Sequence, residues 1–302
     1  SASGYGGLMM TGGLVDHCIV SNCYGNTNAS GGQSGAGIGV YMTGGVVRDT
    51  VITRCSKSRN MGSGAISIAS GCLVERCRIT KCGLTNTNGE KGGVVITGGT
   101  LRNSLIDGCQ GGAGNALYVS GACLIENCTI VDNHNNANST GNAFLADSCY
   151  ADVRNCIIVN NTNTEKDKAA NLAANPGCTV SYSCSNPAVE GEGNVNVDPA
   201  FTDPDAGDYT LGFSPCVDSA CLCGWMPSST DLGGVNARIL GAAPDIGCYE
   251  AEVSDELSCG FEAVSDGGID TANVTVTAVV GGNTDGIQYD WTFKDQHGNV
   301  VK

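Results

Sequence analysis

Aromatic residues are scarce, at 5% of 302 residues, and there are only three histidines. The chain therefore has little with which to wall a large aromatic ligand cavity, and no recurring His that could partner cysteines at a metal. Basic residues are also few: 15 Lys and Arg stand against 30 Asp and Glu, for a net charge of −15 and no basic patch. Nucleic acid and anionic membrane surfaces are poor partners for such a chain. No apolar run is long enough to cross a bilayer, so membrane insertion is not expected. Ser-His-Asp arrangements, Gly-rich phosphate loops and Cys-His metal spacings are missing too.

What the chain has is a repeated phrase. LVDHCIVSNC (14–23), VVRDTVITRC (46–55), LVERCRITKC (73–82), TLRNSLIDGC (100–109), LIENCTIVDN (124–133) and DVRNCIIVNN (152–161) align without gaps. Their aliphatic column is Val15, Val47, Val74, Leu101, Ile125 and Val153, at steps of 32, 27, 27, 24 and 28 residues. The next column, Asp16, Arg48, Glu75, Arg102, Glu126 and Arg154, alternates in charge. Alternation of this kind is expected if the segments stack in register about 4.8 Å apart, with unlike charges on neighbouring strands. As a structural ladder, each exposed step contributes under about 1 kcal/mol.

His17, Asp49, Arg76, Asn103, Asn127 and Asn155 form a polar column suited to a bend. Cys18, Thr50, Cys77, Ser104, Cys128 and Cys156 follow as small inward residues, then the β-branched run Val20, Ile52, Ile79, Ile106, Ile130 and Ile158. Between them Ile19, Val51, Arg78, Leu105, Thr129 and Ile157 tolerate Arg and Thr, so this column is expected to face out. Each phrase follows a shorter strand (GIGVYM 37–42, AISIA 65–69, GGVVI 92–96, ALYV 116–119) and a Gly-rich corner. Leucine-rich repeats share this length, but their Leu spacing and helical half are missing. The expectation is an all-β, right-handed parallel β-helix of about six recognisable coils over 1–175. YGGLMMTGG (5–13) resembles IGVYMTGG (38–45), so the chain is expected to open inside a coil of a longer protein. Variable lengths fall at one edge, in 24–36, 56–63, 83–91, 110–114, 134–142 and 162–171. Such an edge often forms a solenoid's binding face.

Eighteen cysteines invite a disulfide reading. Cys23, Cys55, Cys82 and Cys109 form an unbroken column, which Asn133 and Asn161 continue. Small inward thiols pack well in a narrow core, so most repeat cysteines are expected to be free and buried. Bridges between stacked neighbours (Cys23–Cys55, Cys82–Cys109, Cys128–Cys156) are the alternative. Stacked thiols of one column do not converge tetrahedrally, so no metal is expected there.

Residues 176–252 lose the repeat and are expected to cap the solenoid's exposed end. Cys216 and Cys248 are the preferred disulfide there, since irregular loops with a small core need staples; Cys221 and Cys223 with both of them are the metal-binding alternative. Asp203, Asp205 and Asp208, near Asp198, could hold Ca²⁺, although they lack the glycine and terminal Glu of an EF-hand loop; Asp also starts turns. From 253 to 302, polar alternation in NVTVTAVV (273–280), a turn, and a strand around Trp291 predict hairpins of a partial β-sandwich.

The repeat phrases resemble those of bacterial right-handed parallel β-helix proteins. NVDPAFTDPDAGDYTLGFSPCVDSA (196–220) with PDIGCYE (244–250) is similar to the C-terminal region of secreted β-helix proteins of the choice-of-anchor Q type. YDWTF (289–293) is similar to PKD or Ig-like modules. The resemblance implies a large, secreted, surface-attached protein, but it brings no reaction with it. The expectation is a non-catalytic extracellular module, a stalk, adhesin or assembly component, with no cofactor beyond Ca²⁺. Its loop edge would meet polysaccharide, other surface proteins or copies of itself. The alternative is a polysaccharide lyase or glycoside hydrolase acting through Asp107, Asp132 and His134, with Lys81 one coil before.

Overall fold

The computed structural model describes residues 7–25, 38–57, 64–83, 91–112, 114–135, 143–146, 150–163, 171–173 and 176–251, and the backbone of strands at 259–265, 274–280, 293–294 and 300–301. The chain divides into two compact units, 1–252 and 253–302. In the second unit Cys259–Ser265 pairs antiparallel with Val274–Val280, and Phe293–Lys294 with Val300–Val301. Strand 274–280 therefore pairs with the segment before it.

The first unit is a parallel β-solenoid of three strand stacks. The first stack holds the short strands: the start of Val40–Arg48, then Ile66–Ile68, Val94–Ile96, Leu117–Val119, Phe144–Ala146 and Leu172–Ala173. The second runs from the end of Leu8–Asp16 through the end of Val40–Arg48, then Leu73–Glu75, Gly99–Arg102, Ala122–Glu126 and Tyr150–Arg154 to Thr179–Ser181. The third is a seven-stranded parallel sheet from Ile19–Ser21 to Cys184–Ser185.

Two corners repeat in a single backbone conformation. His17, Asp49, Arg76, Asn103, Asn127 and Asn155 all have φ between 46° and 58°. Asn22, Arg54, Lys81, Asp132 and Asn160 do the same at the next corner, where Gly108 has φ 60°. One left-handed residue turns the strand sharply without an extra loop, and Asn and Asp tolerate it best. At the Gly corner, Gly99 has φ +83°, and a Cβ there would lie 2.6 Å from Cys72 O. Gly99 therefore admits no side chain in this conformation, although the neighbouring coils carry Cys72 and Cys123 at the same register position.

The interior is filled by inward residues of all three stacks, with Val40, Met42, Ile66, Ile68, Val94, Ile96, Leu117, Val119 and Phe144 from the first. Val47, Val74, Leu101, Ile125 and Val153, with Ile52, Ile79, Ile106, Ile130 and Ile158, are all buried. Thr50 and Ser104 stand in for thiols because a hydroxyl can serve two backbone groups. Ser104 Oγ donates to Arg102 O at 2.8 Å and accepts from Cys77 N at 3.1 Å. Asn133 and Asn161 do more. The two N–H groups of Asn133 Nδ2 are shared among Ile106 O, Val131 O and Asn161 Oδ1, all at 2.9–3.0 Å, and Asn133 Oδ1 accepts from Cys109 N at 2.9 Å. Such a fully satisfied ladder fixes the stacking register.

The segment after the last strand does not mainly plug the end, as the sequence suggests. Only the part around Val195 adds to the last coil, through Ser185 N to Val195 O at 3.1 Å. The rest returns along the outside of the third stack. Tyr209, Leu211, Cys216, Ala220, Leu232, Ile246, Cys248 and Tyr249 bury the outward residues Leu105, Val131, Ile157, Val159 and Cys184 in a second core. The outward column is thus covered in its later coils, while Ile19 in the first is 74% exposed.

Candidate functional site

The charge column is in register throughout: Asp16 faces Arg48, Arg48 faces Glu75, Glu75 faces Arg102, Arg102 faces Glu126, and Glu126 faces Arg154. Its ion pairs form in twos. Arg48 meets Asp16 at 2.7 Å, Arg102 meets Glu75 at 2.6 Å, and Arg154 meets Glu126 at 3.4 Å. Arg48 holds the Asp16 carboxyl below its ordinary range. The polar corner adds a bidentate pair, Arg76 to Asp49 at 2.7 and 2.8 Å. Glu75 and Glu126 are buried, so this part of the column is not the exposed ladder that its sequence suggests.

Cover comes from the strap 221–226. Trp225 Nε1 donates to Glu126 Oε2 at 2.9 Å, and the Arg102 guanidinium lies 4.7 Å from the Trp225 ring centre. The strap is tied down by a corner Asn: Asn155 Nδ2 donates to Cys221 O at 2.8 Å and Cys221 N to Asn155 Oδ1 at 2.9 Å. Asn103 and Asn127 hold Thr230 O and Asp245 O in the same way. Between strap and second stack lies an open groove of about 500 Å³. Its strap wall is Leu222, Gly224 and Trp225, and its solenoid wall runs across successive coils through Leu73, Thr100, Leu124 and Arg154. Leu222 is 67% exposed at the rim. Sequence reasoning missed this site; the signal for it was GWMPS (224–228), an isolated Trp in a Gly/Pro context.

The residues of the catalytic alternative are only partly brought together. Asp132, a corner residue, accepts from Tyr209 Oη at 2.7 Å. Burial pushes its carboxyl up. Asp107 is pushed to about 6 by burial, opposed by Lys81 and reinforced by Asp132, and its buried Oδ1 has no hydrogen-bond partner. His134 is engaged elsewhere, with Nδ1 2.8 Å from Thr162 Oγ1. The pair of carboxyls therefore lies against the Tyr209 hairpin, an arrangement that serves docking of that hairpin.

Other candidates resolve into local structure. Asp203 accepts from Ala206 N and caps the short turn Pro204–Ala206, and Asp208 accepts from Thr210 N and Oγ1, which lowers its pKa. These carboxylates are occupied in turns, and Asp205 lies within one. Cys216 and Cys248 are both free thiols, which corrects the expected disulfide. The thiol that Cys216 meets is Cys184, whereas Cys248 N takes Thr129 Oγ1. Cys221, Cys223, Cys216 and Cys248 do not gather at one point: among the described residues the one group of three or more candidate ligands is Asp16, His17 and Asp49, which is spent on Arg48 and Arg76. Most of the repeat cysteines, among them Cys55, Cys77, Cys82, Cys109, Cys128 and Cys156, are buried free thiols.

The most organised polar centre is one the sequence does not announce. Arg238 is 0% exposed. Its guanidinium donates to Tyr249 O, Asp245 O and Gly247 O at 3.1, 2.7 and 2.6 Å and pairs with Glu250 at 2.6 Å. PDIGCYE (244–250) is thus a loop wrapped around one arginine.

Most of the loop edge at 24–36, 56–63, 83–91 and 134–142 lies outside the described residues. Among the described residues no helix is long and apolar enough to cross a membrane. No family model, no curated protein and no solved structure matches the chain.

Proposed function

We propose that the protein is a non-catalytic, extracellular contact module that holds a polysaccharide chain against the side of its solenoid. The observation that carries this reading is the groove between the 221–226 strap and the second stack. It is open to solvent and its wall crosses coils that repeat about every 4.8 Å, close to the length one pyranose adds to an extended glycan. Trp225 offers an aromatic wall, Leu222 an apolar rim, and Thr100 and Arg154 polar groups from different coils. A few placed polar groups beside an aromatic face suit a sugar ring, which has both polar edges and apolar faces. The likeness of 196–220 and 244–250 to secreted β-helix proteins of the choice-of-anchor Q type, and of 289–293 to PKD or Ig-like modules, supports the extracellular placement. The variable loop edge would supply further contacts to glycan, to other surface proteins or to copies of the chain.

The test is retention on a panel of immobilised polysaccharides, with the soluble phase assayed for new chain ends. Retention by the native chain, lost in Trp225→Ala with an unchanged circular-dichroism spectrum, is the expected result. Equal retention by Trp225→Ala removes the groove from the reading. New chain ends that vanish in Asp132→Ala replace it with a lyase or hydrolase.

A further inference from the structure

We propose that the thiol column Cys23, Cys55, Cys82 and Cys109 is a binding site for a two-coordinate thiophilic cation of the mercuric type, held between sulfurs of adjacent coils.

The four cysteines follow one another in successive coils, with Ser56 N on Cys23 O, Gly83 N on Cys55 O and Gln110 N on Cys82 O at 2.8–2.9 Å. Their side chains point the same way. Cys55 Sγ lies 3.5 Å from Thr53 O and 3.8 Å from Val20 O. Cys82 Sγ repeats this with Thr80 O at 3.3 Å and Ile52 O at 3.6 Å. Cys109 Sγ lies 3.7 Å from Ile79 O, and Cys23 Sγ 3.8 Å from Ser21 O. Each thiol interacts with the next along the column, and side chains in equivalent contacts are related by the coil translation, which sets the sulfur spacing at one strand spacing, about 4.8 Å.

That spacing selects the chemistry. It is far longer than the S–S bond of about 2.05 Å, so a disulfide requires the side chains to turn out of their common orientation. A column does not offer the four converging ligands of a structural zinc site. A linear S–M–S unit with bonds of about 2.4 Å spans it without displacement, and thiolates prefer soft d¹⁰ ions. Cys55, Cys82 and Cys109 are buried among apolar side chains, a setting that penalises net charge. A divalent ion with two thiolates is neutral, whereas a monovalent ion leaves a negative charge in the core. On binding, each of two thiols loses its proton to solvent, two M–S bonds form, the ion sheds its former ligands, and nothing is oxidised or reduced. The column accommodates two such units, Cys23–Cys55 and Cys82–Cys109, and half-buried Cys23 gives access from solvent. Cys77 cannot take part, because Thr50 and Ser104 are its neighbours in its own column.

The experiment is titration of the full reduced chain with mercuric ion in chloride buffer. Bound ions are counted by native mass spectrometry, and X-ray absorption reads the sulfur number and distance. The native chain is expected to show two sulfurs per ion, and Cys55→Ser/Cys82→Ser is expected to hold two ions fewer. Cys77→Ser is expected to match the native count. An unchanged count in the double variant overturns the proposal. So do three or four sulfurs per ion in the native chain, a result that needs no variant to fold.

Discussion

Replacing Arg238 by Met should reveal a buried acid whose cost depends on pH. Glu250 is buried beside the guanidinium, and desolvation pushes its carboxyl to about 8 even though Arg238 pulls it down. Glu250 Oε1 takes the ion pair and Asp245 N, which leaves the buried Oε2, without a hydrogen-bond partner, as the atom open to a proton. A carboxyl raised in the folded state binds its proton more tightly there than in the unfolded chain. Its contribution is full below the ordinary value of 4.5 and is lost as pH rises towards 8. Arg238→Met strips hydrogen bonds from three carbonyls, at about 1 kcal/mol each, so about 3 kcal/mol is expected near pH 6, where the acid is protonated with or without the arginine. Above pH 8 the native acid ionises against Arg238, but the variant must keep its proton. Its deficit should then grow by about 1.4 kcal/mol per pH unit, to about 5 kcal/mol at pH 9.5, the cost of a broken buried pair. Hydrogen exchange of the 245–250 amides, corrected for intrinsic rates from pH 6 to 9.5, measures the opening free energy directly. Arg238→Met/Glu250→Gln should lose the growth with pH. A deficit under 1 kcal/mol, or one that is flat with pH, refutes the reasoning.

Asn133→Ala removes four hydrogen bonds from the buried ladder and should destabilise the solenoid by about 3 kcal/mol in urea unfolding, with Asn133→Cys costing less because it extends the thiol column. Tyr209→Phe should loosen the 201–211 hairpin by about 1–2 kcal/mol at pH 8, and by less at pH 4, where Asp132 is more protonated; proteolysis rates within the hairpin measure this. Arg102→Glu should cost more than Arg48→Glu in thermal unfolding. The Arg102 side chain is 20% exposed between Glu75 and Trp225, whereas that of Arg48 is 39% exposed, so the expected costs are about 3 kcal/mol against under about 1 kcal/mol.

Much of the solenoid was legible because a repeat converts weak local preferences into columns. Val74 alone says little, but six aliphatic residues at one position locate an inward strand face, and all but Val15 prove buried. The bend at His17 to Asn155 was legible as polarity, though not as a left-handed residue, because Arg76 is a poor marker of that conformation. The side cover was not legible. It depends on contacts between residues far apart in sequence, such as Trp225 with Glu126 and Thr230 with Asn103, and no local pattern encodes them. The Cys216 assignment failed for a related reason: its neighbour, Cys184, belongs to the last repeat strand, and a search for staples within the irregular segment passes over it.

The columns nonetheless carry a trace of the cover. At the polar corner the residues are His17, Asp49 and Arg76, then Asn103, Asn127 and Asn155. The change falls where the returning segment begins to lie against the corner in force. Asn103, Asn127 and Asn155 are fully buried and each donates to a carbonyl of that segment, whereas Asp49 and Arg76 mainly satisfy one another. A buried amide can donate to a carbonyl without carrying charge, and an unmet amide oxygen, as at Asn103, costs far less than an unpaired charge, whereas a buried carboxylate or guanidinium needs a counter-ion or several carbonyls, as Arg238 does. The outward column changes in parallel, from Ile19 and Val51, which the second core leaves out, to Leu105 and Ile157 within it. A switch from charged to amide residues at a fixed repeat position therefore marks the coils that gain a neighbour, and here it locates the strap and its groove on the later half of the solenoid.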